Sequence, residues 1–489
     1  MGVSGGPDER IKMIYTFKQR YIGDSRFYRR ILQVAVPIMI ESGISNLVNL
    51  LDNVMVGRIG TEQMSGVSIV NQLYFIYSLC VIGGVEGLSI FTSQFYGRGD
   101  QESVRITFRT KAWLTGLVSL LSLGILVAFG PVLIGFYLNE GSASGSLAAT
   151  QAYAEQYLRV ILLSLPAFAL VQTYGSTLKA CGETVVPMRA SVTAVLTNLF
   201  LNWILIYGIH IGGKAVLPPL GVRGAAMATV ISRYVEMAML VSWAHRHTEK
   251  APYMKGAWRS MRIPQSMLLR FTKTSAPVLI NESLWSIGMS FLLQCYSMRG
   301  LDVIAAFNIS STITNLFSII FFSMGDAVAI IVGQLLGAGK LKEARDTDRK
   351  IYGFALFFSV LTGLLLWAVS GLFPKVYETS PEIRHLAGLL MSVYALFCPM
   401  IAFCHCSYFT LRCGGKTMIS FLFDSAFTWA ISVPIAFTLS RFTNMPVVWI
   451  YFSVTAADLL KALLGFVLVK KGVWLNNLTE MAEKGGTMS

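Results

Sequence analysis

The sequence predicts an all-α polytopic membrane protein with twelve transmembrane helices in two pseudo-symmetric six-helix bundles. Three observations carry this. The first is composition: of 489 residues 54% are hydrophobic and only 13% charged, with a mean hydropathy of +0.59. A soluble domain carries about 25% charged residues. The second is twelve apolar runs long enough to span a bilayer, near 31–56, 66–96, 107–136, 150–178, 185–210, 221–244, 267–298, 303–336, 350–373, 383–411, 417–440 and 446–469. Lipid gives backbone amides no partners, so runs at this depth must be helical. The third is an internal repeat. Pro37, Ile40 and Gly60 recur as Pro277, Ile280 and Gly300, all at an offset of 240 residues.

Taken in order, residues 1–30 form a polar, basic segment suited to setting topology or lying on an anionic surface. The N-terminal lobe, helices 1–6, is expected over 31–247. A basic linker (248–266) leads to the C-terminal lobe, helices 7–12, over 267–472, and a tail of 473–489 follows. Further repeat matches support the halves. Ile90, Gln94, Gly97 and Gly99 recur as Ile330, Gln334, Gly337 and Gly339, and Thr177–Thr184 recurs as Thr410–Thr417. The matched glycines sit at helix ends, where C-terminal capping accounts for them. Six helices per half is an even number, so both halves enter from the same side and form parallel repeats with a site between them.

Basic residues assign the orientation. With the N-terminus inside, the cytoplasmic segments hold thirty Lys and Arg, Arg109, Lys111, Lys179 and Arg412 among them, against seven outside. Both termini are then cytoplasmic, in a plasma membrane of the bacterial inner-membrane type. The net charge of +14 becomes a topology signal rather than a nucleic-acid footprint. The seven cysteines fall mostly in apolar runs and imply no disulfide framework.

Seven carboxylates lie inside the apolar runs: Glu41, Asp52, Glu86, Glu282, Asp326, Asp424 and Asp458. Such residues default to function or to pairing. Asp52 is about 30 Å up helix 1 at 1.5 Å per residue, and Asn198 and Asn202 lie at a similar level of helix 5, one turn apart on one face. Thr229 on helix 6 adds an oxygen. Together these residues suit either Na⁺ coordination or a proton on Asp52, and a satisfied polar core between helices 1 and 5 is the alternative. Glu86 and Asp326 are repeat equivalents. With Glu282, Asp424 and Glu41 they form the candidate substrate cavity or second cation site. No Lys or Arg lies within a turn of Glu86, Glu282, Asp326 or Asp424, which predicts an acidic cavity preferring cations. Asp458 has Lys461 at i+3, and Arg233 has Glu236, so each set reads as an intrahelical ion pair. Pro37 is the candidate hinge of helix 1.

On LLDNVMVGRIG, TLKACGETVVP, NLFLNW, GVRGAAMATVISR, SMRGLDVIAAFNI and IIVGQLLGAGK, the chain resembles the multidrug and toxic compound extrusion (MATE) family over about Ile31 to Trp474. The resemblance implies the MATE fold and a cation-driven antiporter that exports amphipathic, often cationic, compounds by alternating access. It implies a cation site from the helix 1 aspartate, matching Asp52, and helix 5 polar residues, matching Asn198 and Asn202. Where proton-linked DinF-like members carry a second aspartate, this chain has Asn202, which leans toward NorM-like behaviour. The family's helix 7 glutamate matches Glu282 approximately, and Thr417 stands for its helix 10 aspartate. The expected coupling ion is Na⁺ or H⁺, with no cofactor, no ATP and no nucleic acid. The expected partners are a small-molecule substrate and membrane lipid, and the protein is expected to be a monomer. A flippase for a lipid-linked precursor is the alternative within transport. A membrane-embedded enzyme would need a clustered catalytic set, and neither HExxH nor GxxxxGK[ST] occurs.

Overall fold

The computed structural model describes residues 22–138, 146–211 and 214–480. The basic segment 1–30 therefore lies mostly outside the described residues. Twelve long helices appear, and most of their spans coincide with the apolar runs. They are α1 (Ser25–Gly57), α2 (Thr61–Arg98), α3 (Gln101–Gly135), α4 (Leu147–Ala180), α5 (Val185–Tyr207) and α6 (Val222–Arg246), then α7 (Gln265–Ser297), α8 (Leu301–Gly337), α9 (Leu341–Ser370), α10 (Pro381–Cys413), α11 (Thr417–Phe442) and α12 (Val447–Lys471). From α2 onward each is long and apolar enough to cross a membrane, and the chain is an integral membrane protein.

Helix 5 ends earlier than the apolar run predicts. Gly208 takes φ 74° and stops α5, and the chain turns into a short antiparallel hairpin, β1 (Ile209–Ile211) and β2 (Lys214–Leu217). Two helices are locally irregular, each next to a proline. A 3₁₀ turn at Leu162–Ser164 precedes Pro166 in α4, and two π turns, Leu422–Ala426 and Thr428–Ser432, precede Pro434 in α11. A proline has no N–H to continue the i→i−4 ladder and its ring displaces the carbonyl one turn back, which accounts for Leu162–Ser164 and Thr428–Ser432 but does not reach Leu422–Ala426.

The chain divides into two compact units, one of 1–39, 93–99 and 280–489, the other of 40–92 and 100–279. They differ from the sequence halves 31–247 and 267–472. The first turns of α1 pack with the unit that holds α8–α12, and α7 begins in the unit that holds α3–α6. The crossovers fall after Met39 and after Leu279, 240 residues apart. Pro37 and Pro277 each lie two residues before their crossover. In the first unit, Ile31, Val34, Ala35 and Ile38 join a core with Val328, Ile331 and Leu335 of α8 and Ile351 of α9. Trp474, just past α12, is 1% exposed and closes that core.

The repeat glycines divide into two roles. Gly99 (φ 84°) and Gly339 (φ 74°) cap their helices, as expected. Gly97 and Gly337 do not. A Cβ on Gly97 would stand 2.0 Å from the Gln334 carbonyl oxygen, and one on Gly337 would stand 1.8 Å from that of Gln94. The ends of α2 and α8 therefore meet backbone to backbone in a pseudo-two-fold contact. Gly337→Ala is expected to destabilise the protein by about 1–3 kcal/mol through overpacking. Gly116→Ala, where a Cβ meets nothing within 4 Å, is the neutral control. Thermal unfolding of the purified variants is the measurement, and equal midpoints would remove the contact from the account.

Candidate functional site

In the second unit, α1, α5 and α6 bring together the four residues expected to form one site. Asn202 Nδ2 donates to Asp52 Oδ1 at 2.7 Å and to Asn198 Oδ1 at 3.1 Å. Asn198 Nδ2 stands 3.3 Å from Thr229 Oγ1. With the Asn198 amide turned over, its nitrogen lies 3.0 and 3.1 Å from the two Asp52 oxygens and its oxygen accepts from Thr229. Asn198 and Asn202 share a face because four residues make about one turn. Both are buried, at 5% and 2% exposure. Tyr207 at the end of α5 donates to the Met55 carbonyl at 2.9 Å and so pins α1 one turn beyond Asp52.

One atom of this cluster is orphaned. Asn202 Oδ1 is buried and has no hydrogen-bond donor. An acceptor left bare in low dielectric costs free energy. The cluster as a whole brings together a carboxylate, two amides and a hydroxyl, the types of oxygen-bearing group a hard cation takes. The residues present fit Na⁺, and the carboxylate equally offers a place for a proton. The Arg233–Glu236 pair expected from the sequence forms at 2.8 Å, and Arg233 also stacks on Phe168 at 5.5 Å.

Glu41, Glu282 and Asp424 differ from their sequence reading. Glu41 pairs with Lys179 at 2.7 Å. In the first unit, Lys461 donates to Asp424 at 2.6 Å, so the expected intrahelical Asp458–Lys461 pair is replaced by a bridge from α12 to α11. Glu282 accepts from Tyr408 at 2.9 Å and faces Arg412 at 3.5 Å. Asn281 links the two sets, donating to Tyr408 at 3.1 Å and to Asp424 at 3.2 Å. The acidic character expected of Glu282 and Asp424 is thus offset by basic residues. Counting neighbours within a turn missed them because the pairs span 130 and 37 positions of chain. Glu86 lies on α2 in the second unit and Asp326 on α8 in the first. Thr417 opens α11 rather than lying on α10, because Gly414 and Gly415 (φ 74°) end α10 first.

The orientation count also placed some buried charges in cytoplasmic segments. Arg109, Lys111 and Arg412 are 7%, 0% and 3% exposed. Lys111 donates to Ser89, Ser176 and Thr177 hydroxyls at 3.0, 3.2 and 3.3 Å, three acceptors for three ammonium protons. In the other half Thr410, the repeat counterpart of Thr177, donates to buried Asp348 at 2.7 Å. The one available signal was the serine and threonine spacing on the facing helices.

Comparison with known proteins adds the following. A family model described as MatE matches residues 37–204 and 277–438, more than half of the chain. The chain is 24% identical over 450 residues to a probable multidrug resistance protein NorM of Thermotoga maritima, covering 91% of this chain and 93% of that protein. It is 24% identical over 416 residues to the multidrug resistance protein PmpM of Pseudomonas aeruginosa, covering 84% and 83%. Among solved structures, a MATE family transporter in an outward-facing conformation superposes with a TM-score of 0.79 at 18% identity, over 95% of this chain and 98% of that one. A mutant of the Vibrio cholerae transporter VcmN superposes with a TM-score of 0.80 at 17% identity, over 93% and 98%.

Proposed function

The chain belongs to the MatE family, and from that premise we propose that it is a cation-coupled exporter of amphipathic, cationic small molecules working by alternating access. The relatives named as multidrug resistance proteins support multidrug export, and the cationic preference is the expectation drawn from the sequence. The observation that carries the coupling site is Asp52 held at 2.7 Å by Asn202, whose own oxygen has no donor. In this reading Asp52, Asn198, Asn202 and Thr229 take Na⁺ or H⁺, and the occupied site shifts α1 against α5. Pro37, buried within α1, is the hinge. The expected acidic site of Glu86, Asp326, Glu282, Asp424 and Glu41 is not carried into this reading, because Glu41, Glu282 and Asp424 each meet a Lys or Arg. The protein acts in the plasma membrane with both termini inside and carries out no bond chemistry on its substrate.

Two measurements test this. Proteoliposomes loaded with a cationic dye are expected to lose it under an imposed inward Na⁺ or H⁺ gradient, whichever ion couples, and not under the other. No gradient-dependent loss with either ion would overturn the reading. Cation and substrate affinities are also linked: a saturating substrate is expected to weaken cation binding by the same factor by which the cation weakens substrate. An unchanged cation affinity, with efflux intact, would move coupling away from Asp52, with Glu282 the next residue to test.

A further inference from the structure

The linker between the halves is strapped to α3 by side chains at four-residue intervals. Arg105 Nε donates to the Tyr253 carbonyl at 3.1 Å, Arg109 Nε to Ala257 at 2.8 Å and Trp113 Nε1 to Met261 at 3.1 Å. Residues 105, 109 and 113 lie on one helical stripe. The strap forms one wall of a cavity of about 880 Å³ within the second unit. Leu88 of α2, Leu117 of α3 and Phe271 of α7 line it, with Trp258 and Met261 of the strap. That volume lies within the ~300–1,000 Å³ range of ligand sites.

We propose that this cavity holds an acyl chain of a phospholipid with an anionic headgroup, drawn from the leaflet on the linker side. The walls are apolar and built on membrane-spanning helices, and Leu117, Leu120 and Leu269 nearby are exposed at 58%, 69% and 72%. Trp113 and Trp258 line the cavity and are 55% and 43% exposed, as amphipathic rings at a membrane interface are. Charge selects the headgroup: residues 249–273 carry six Lys and Arg against one acid, Glu249. Arg259 and Arg262, each next in the chain to a lining residue, are exposed. Basic residues at a membrane surface attract anionic lipid.

This inference rests on membrane insertion and stands apart from the ion that drives transport. The test is lipid retention by purified, delipidated full-length protein offered phosphatidylglycerol or phosphatidylcholine, read by native mass spectrometry. Wild type is expected to keep one phosphatidylglycerol, preferred by about fivefold per arginine involved. Gly116→Leu narrows the cavity from a position where a Cβ meets no atom within 4 Å, and is expected to weaken retention of that lipid while keeping the melting midpoint. Arg259→Gln with Arg262→Gln is expected to hold both lipids equally. Full retention by Gly116→Leu, an undiminished preference in the double variant, or displacement of the lipid by a transported dye would each overturn the proposal.

Discussion

Asp52→Asn is expected to reduce cation-driven efflux to the uncoupled background while leaving expression and melting near normal. The substitution keeps the side-chain volume, and its Oδ1 still accepts from Asn202 Nδ2, now 2.7 Å away. What disappears is the single carboxylate of a cluster whose remaining ligands are amides and a hydroxyl. Contacts to a charged group contribute about 1.5–3 kcal/mol each, so losing the charge weakens cation binding by at least tenfold. Asn198→Ala, which removes one neutral ligand, is expected to weaken coupling less and to leave some gradient dependence. The measurement is dye efflux from proteoliposomes under matched gradients. Wild-type rates in Asp52→Asn would refute the site.

Lys461→Met is expected to be among the most destabilising single changes in the first unit. Lys461 and Asp424 expose only 12% and 16% of their side chains and meet at 2.6 Å. Removing one partner of a buried pair leaves the other charge uncompensated, at a cost of about 3–5 kcal/mol. The loss extends further, because Asp424 also accepts from Asn281, which in turn binds the Ser425 backbone and hydroxyl at 3.2 and 2.7 Å. The π-helical turns of α11 lie in this stretch. Lys461→Met with Asp424→Leu is expected to recover most of the stability, since an apolar pair of similar volume carries no desolvation penalty. Thermal unfolding in detergent reads both variants. A single variant as stable as wild type would mean that Asp424 is neutral or solvated without Lys461.

How far the sequence reached depended on how local each feature is. The twelve helices were legible because hydropathy and backbone hydrogen bonding act within a single run, so α2–α12 appear almost where the apolar stretches lie. Asp52, Asn198 and Asn202 were legible because depth and helix face follow from position along a helix. The glycine motif was only half legible. Caps are local, as at Gly99 and Gly339, whereas Gly97 and Gly337 answer to a backbone from the other half.

The sequence by itself determined the class of the protein, the count and order of its helices, the 240-residue repeat and the cluster on α1 and α5. Only the tertiary structure decided which bases meet the carboxylates of α1, α7 and α11. Glu41 meets Lys179, Glu282 meets Arg412 and Asp424 meets Lys461, each on another helix. It also decided that Lys111 is dissolved among three hydroxyls rather than in water. The physical reason is the same throughout. Burying a charge costs so much in low dielectric that its partner must come from whichever helix packs nearest, and that choice is made by packing across the fold rather than by neighbours along the chain.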